Sequence, residues 1–177
     1  MRTLKLVLIV IVLTVVTAIA QDIPTARSYE DADAYEIYSL LLPNYESHAS
    51  VKDPLMILEN TVAAVLSVEG CVSPADAHRF RGAIVGYYRI YEKHLLLQRR
   101  FQLVEPYRVV GTKVISTPPD HPYFSVSPVG FNRARTQAIV WVEETCGGLC
   151  GSFRFHFLEK VSGKWKEKAV ATCAGAS

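Results

Sequence analysis

The sequence predicts an α+β domain in which N-terminal helices pack on one face of an antiparallel β-meander. Three observations predict it. Apolar residues recur at three- and four-residue steps as far as Leu95, then at every second residue from Phe101 onward. The later segments are joined by tight-turn signals at Gly130-Phe131-Asn132, Gly147-Gly148 and Ser162-Gly163, and short connections favour antiparallel neighbours. The chain has 177 residues, of which 50% are hydrophobic and 20% charged. That composition excludes disorder, collagen and coiled coil and suits a single packed core.

Met1 to Ala20 is read as a secretory signal peptide. Arg2 and Lys5 supply the basic start, Leu6 to Val16 is apolar apart from Thr14, and Ala18-Ile19-Ala20 fits the small-x-small cleavage pattern. The apolar stretch is shorter than the roughly 20 residues a membrane-spanning helix needs. Cleavage after Ala20 is therefore expected, with export to the periplasm or the medium and no membrane span afterwards. Residues 21–27 read as a leader and residues 28–177 as a single α+β domain. Loss of Arg2 and Lys5 turns 19 basic and 17 acidic residues into 17 of each. The balance is uneven along the chain. From Gln21 to Asp76 there are 10 acids and 2 bases, a net of −8, and from Ala77 onward 15 bases and 7 acids, a net of +8. The two parts are expected to pack on each other, with the basic part also a candidate for an anionic ligand. No dense basic run interleaved with aromatics points to nucleic acid.

Ser28-x-x-Asp31 reads as a capping box opening the first helix, with Ala34, Ile37, Tyr38 and Leu41 on its apolar face and Pro43-Asn44 at its end. Leu55 to Leu58 reads first as a buried strand, with a single helix over Leu55 to Val68 as the alternative that periodicity does not decide. Ser73-Pro74-Ala75-Asp76 caps a long helix whose stripe runs Ala77, Phe80, Ile84, Tyr87, Tyr91, Leu95. Gly82 and Gly86, one turn apart, permit close backbone approach. Strands are expected at Phe101–Val104, Tyr107–Ile115, Phe124–Val129, Gln137–Thr145, Ser152–Lys160 and Trp165–Thr172.

Cys146-Gly147-Gly148-Leu149-Cys150 makes a three-residue hairpin loop with its cysteines directly opposed, close enough for a disulfide. Export favours oxidation, so the expected bridges are Cys146–Cys150 and Cys71–Cys173. The second closes a loop of about a hundred residues, worth about 4–5 kcal/mol by chain entropy. Carried down the strands, this register opposes Glu144 to Ser152, Val142 to Arg154 and Val140 to His156 on one face. On the other it opposes Trp141 to Phe155 and Ile139 to Phe157. The aromatic face, with Trp165, is assigned to the core beneath the tyrosine-rich helix. The other is a half-exposed face on which Glu144, Arg154 and His156 form a possible polar surface site, His156 being able to work as acid or base near neutral pH.

Phe124-Ser125-Val126-Ser127-Pro128-Val129-Gly130-Phe131-Asn132, the Cys146–Gly151 hairpin, and Leu158-Glu159-Lys160 followed by Gly163-Lys164-Trp165 together resemble a group of uncharacterised secreted bacterial proteins. Those share a V-G-F-N turn, a C-G-x-L-C-G hairpin and an L-L-E-K-x-x-G-K-W strand pair. The resemblance implies location and fold, and it brings no activity. The outline is also similar to cystatin-like or NTF2-like cones, an analogy of layout alone.

No nucleophile-elbow serine motif, zinc-binding histidine pair or glycine-rich phosphate loop occurs, so no catalytic residue, cofactor or metal is assigned. Glu143 and Glu144 are adjacent on a strand and face opposite sides. The leading functional expectation is an exported, disulfide-stabilised, non-catalytic binding or envelope-associated domain. Its alternatives are a small exported hydrolase using Glu144, Arg154 and His156, and a thiol–disulfide protein using Cys146 and Cys150.

Overall fold

The computed structural model describes residues 26–44, 54–64, 66–114, 122–146 and 151–172. The signal peptide, the proline-rich bend around Asp120 and His121, the hairpin turn with Cys150, and Cys173 lie outside the described residues. In chain order the elements are β1 (Arg27–Ser28), α1 (Ala32–Leu41), β2 (Leu55–Leu58), α2 (Pro74–Arg79), α3 (Arg81–Tyr88), β3 (Leu95–Leu96), β4 (Tyr107–Val110), β5 (Tyr123–Val126), β6 (Gly130–Phe131), β7 (Gln137–Thr145), β8 (Gly151–Val161) and β9 (Lys164–Thr172). Helices and a mixed, mostly antiparallel sheet make this an α+β fold.

The main sheet runs β4-β2-β5-β7-β8-β9, with β6 also on β7. β7, β8 and β9 form the expected meander, and their register is the expected one: Glu144 opposes Ser152, Val142 Arg154, Val140 His156, Trp141 Phe155 and Ile139 Phe157. The other half of the sheet departs from a meander. β2, called from its four apolar residues, lies between β4 and β5 and is parallel to both. Parallel neighbours need a crossover, and the one from β2 to β4 contains α2 and α3. Phe101–Val104 forms no strand, and β4 ends at Val110.

The cover of the sheet is two-sided, which corrects the expected one-sided packing. Alternation along β7 feeds two cores. Ala138, Val140 and Val142 join Leu158 and the buried face of α1. Ile139 and Trp141 join Phe155, Phe157 and the Phe80, Ala83, Ile84 and Tyr87 side chains at α3. Under α1, Tyr29, Tyr35 and Tyr38 stack edge-on about one another and Phe101. Their hydroxyls engage backbone: Tyr38 donates to the Ser127 carbonyl at 2.7 Å, and Tyr29 accepts from Val129 N–H at 3.1 Å. Burial pushes the Tyr29 phenol up to about 12.

Three local expectations are corrected. α1 starts at Ala32, with Asp31 itself the cap accepting from Ala34 N–H at 3.3 Å. Ser28 is unavailable as a cap because it is in β1, paired with Leu96 of β3. The long helix is broken at Phe80 (φ −99°, ψ 14°), which ends α2 and begins α3 and packs its ring 5.2 Å from Phe157. It stops at Tyr88 because the chain beyond is held elsewhere: the buried Thr61 hydroxyl donates to Lys93 and accepts from Leu95 N–H. Trp165 lies on the α1 side and not with Trp141. The Ser162-Gly163 turn pairs Val161 with Lys164, so Trp165 opposes Lys160 and shares the face of Leu158. A bulge farther along, between Phe157 and Leu158, shifts the register by one for the pairs beyond it, from Phe157 and Ala169 onward.

The glycines of α3 are used as anticipated. A Cβ built on Gly86 would lie 2.0 Å from the Phe131 carbonyl oxygen, and one on Gly130 would lie 2.3 Å from Tyr87 Cα. Helix and strand thus meet backbone to backbone. Alanine in a helix interior ordinarily stabilises by about 0.5–1 kcal/mol over glycine. Gly86→Ala is expected to reverse that sign and cost about 1–3 kcal/mol through overpacking, measured by urea unfolding; a gain in stability would contradict the close approach.

Candidate functional site

Glu144, Arg154 and His156 do share one face of the β7–β8 hairpin, as the register required. Two of the three are buried there, on the side of the sheet that α1 packs against. Glu144 is 6% exposed and His156 4%. Glu144 accepts from the Ser152 hydroxyl at 3.5 Å. His156 Nδ1 contacts the carboxylate of Glu167 on β9, a partner the sequence reading missed. Glu167 opposes Leu158, two residues along β8 from His156 and on the same face. Glu144, Arg154 and His156 hold further interactions as well; Glu144 and His156 are buried and Arg154 is half-buried. Glu143 lies on the other face, opposite Ser125 and Phe153, where burial holds its carboxyl above the ordinary range.

The acidic start of α1 meets the basic second half of the chain at a compact ion cluster. Arg135 has a left-handed backbone (φ 54°). Its guanidinium sits 3.9 Å over the Phe131 ring and reaches Asp31 at 2.7 Å and Asp33 at 3.2 Å. Lys160 reaches Asp33 at 2.7 Å, and the Trp165 indole N–H donates to the same carboxylate at 3.2 Å. Burial pushes the Asp33 carboxyl up, but the hydrogen bonds from Lys160, Trp165 and Arg135 outweigh it and leave the group below its ordinary value. Arg79 makes a second pair with Glu159 at 2.8 Å. The mutual packing of the two charge halves expected from the sequence therefore holds for Arg135 and Lys160.

It does not hold for Arg81, Arg89 and Arg133. These line a groove of about 470 Å³ with Gly82, Val85, Gly86 and Phe131. No hydrogen bond, ion pair or ring contact engages any of the three guanidiniums among the described residues. The groove exists because the glycine edge of α3 rests directly on β6: Gly86 meets Phe131 and Gly82 meets Asn132. Val85, 44% exposed, lies between the two helix arginines. Two other grooves mix or lack positive charge. One carries Arg27 and Lys93 beside Glu30, and the other carries Glu105 without a base. An all-arginine lining on an apolar floor suits oxyanions, which guanidinium binds through paired N–H donors. The sequence signal for it was the +8 excess after Ala77, but the excess alone does not say which arginines converge.

Neither Cys71 nor Cys146 is a free thiol; Cys150 and Cys173 fall outside the described residues. No group of three or more metal-ligating side chains occurs among the described residues, and no described helix is long and apolar enough to cross a membrane.

Because the Asp33 carboxyl is depressed on folding, its contribution is present above its ordinary value of 3.8 and is lost as pH falls through the folded value. Asp33→Asn is expected to lower stability by about 1–2 kcal/mol at neutral pH. In urea unfolding the gap from the native chain should close well below pH 3.8; a gap independent of pH would show that the ion cluster contributes nothing. Comparison of the chain with family models, with curated proteins and with solved structures found no match.

Proposed function

We propose that the protein is an exported, disulfide-clamped, non-catalytic binding domain that takes an anionic partner in the Arg81–Arg89–Arg133 groove. The observation that carries this reading is three convergent guanidiniums without an acidic partner among the described residues. Elsewhere in the same fold Arg79, Arg135 and Lys160 are neutralised. Export rests on the Met1–Ala20 pattern, and the clamp on bridges Cys146–Cys150 and Cys71–Cys173. The hydrolase alternative gains the His156–Glu167 contact, but a general base must reach its substrate and this imidazole is 4% exposed. The thiol–disulfide alternative needs a reactive thiol, and no described cysteine is free.

The mature chain is expected to have no net charge, so retention on a phosphate-bearing matrix at low salt reports a local patch and not overall charge. The native chain should be retained, and Arg81→Gln/Arg89→Gln/Arg133→Gln should flow through. Lys164→Gln/Lys166→Gln/Lys168→Gln changes net charge equally on β9 and should leave retention intact. Equal loss in both triple variants would remove the groove as the site. Non-reducing peptide mapping should find Cys146 linked to Cys150 and Cys71 to Cys173; a Cys71–Cys146 or Cys71–Cys150 peptide would overturn the proposed clamp.

A further inference from the structure

We infer that the groove is a two-post receptor for a ligand bearing two oxyanion groups separated by an apolar spacer, an inference that rests on the anion-binding reading above. The close contacts between α3 and β6 set the geometry. Gly86 faces Phe131 and Gly82 faces Asn132, so the chain beyond β6 runs toward the N-terminal end of α3. Arg133 therefore comes to the end of the groove where Arg81 stands. Arg89 stands at the other end, eight residues along the helix, an axial rise of about 12 Å. One end offers two guanidiniums and the other offers one. Between them the floor is the Val85 side chain and the backbone of Gly86 and Phe131, which presents no side-chain hydrogen-bonding group.

A single small anion can satisfy only one end of this arrangement and leaves the apolar floor uncovered. An extended dianion satisfies both ends at once, and its second contact is made at a high effective concentration once the first is formed. A hydrocarbon spacer lies over Val85 and removes its exposed surface from water. The chemical class is thus an α,ω-dicarboxylate or an equivalent double-headed anion of medium length, with the head of higher charge at the Arg81–Arg133 end.

The test is a titration of the full chain, followed through amide shifts on α3 and β6, with octanoate, succinate, suberate and sebacate. Affinity is expected to rise from succinate to the longer diacids, with the best diacid at least about tenfold tighter than octanoate. Arg89→Gln should reduce that diacid to the affinity of octanoate while leaving octanoate itself unchanged. Arg81→Gln should weaken both. Diacids that bind no tighter than octanoate, with shifts still confined to the groove, would overturn the two-post geometry and leave anion binding standing. No groove shift with any of the four probes would overturn this inference, and paired with loss of matrix retention in the arginine variants it would still leave the broader reading separately judged.

Discussion

The fold depends on the register between β7 and β8. Along β7, successive residues are buried on alternate sides, so a single pairing pattern decides which side chains enter the α1 core and which enter the α3 core. Shifting that register by one would place Trp141 among tyrosines pinned to α1 and would expose valines to the ring stack of Tyr87 and Phe155. With the register as it stands, Trp141 stacks on Phe153 at 5.0 Å and meets Phe155 edge-on at 4.9 Å. Those rings form the floor on which α3 rests. The backbone contact of α3 with β6, itself paired to β7, follows from that placement, and the arginine groove is its outer surface.

How much was legible in the sequence follows from how local each signal is. The β7–β8 ribbon was readable because a glycine turn fixes the pairing of two flanking strands with clean alternation. β2 was readable as a strand, but its parallel neighbours were not, since those contacts lie far apart in sequence. The bulge between Phe157 and Leu158 has no local mark: Lys166-Glu167-Lys168 alternates as an unbroken strand would. Trp165 and Glu167 lie before it, in the register that the Ser162-Gly163 turn sets, and that register puts Trp165 in the α1 core and Glu167 beside the buried His156. The break at Phe80 was hidden for a similar reason, because the apolar stripe continues through it at helical spacing.

Charge shows the same division between pattern and placement. The acidic first part and basic second part of the chain were evident from counting, and their mutual packing is realised where Asp31 and Asp33 receive Arg135 and Lys160. These contacts tie α1 to the turn before β7 and to the end of β8. Counting does not show which bases remain outside such pairs. The topology decides that, by resting the glycine edge of α3 on β6 and leaving Arg81, Arg89 and Arg133 around one depression. Binding in the proposed sense is then a surface property held in place by two separate cores.

The division of the sheet's two faces between α1 and α3 is tested most directly by nuclear Overhauser contacts among aromatic rings. The account predicts one network joining Tyr87, Phe155, Trp141 and Phe153, and a second joining Tyr29, Tyr35, Tyr38 and Phe101, with no cross-peaks between the networks. Cross-peaks from Trp141 to the Tyr35 or Tyr38 ring would contradict it, because they would place both rings on the same side of β7.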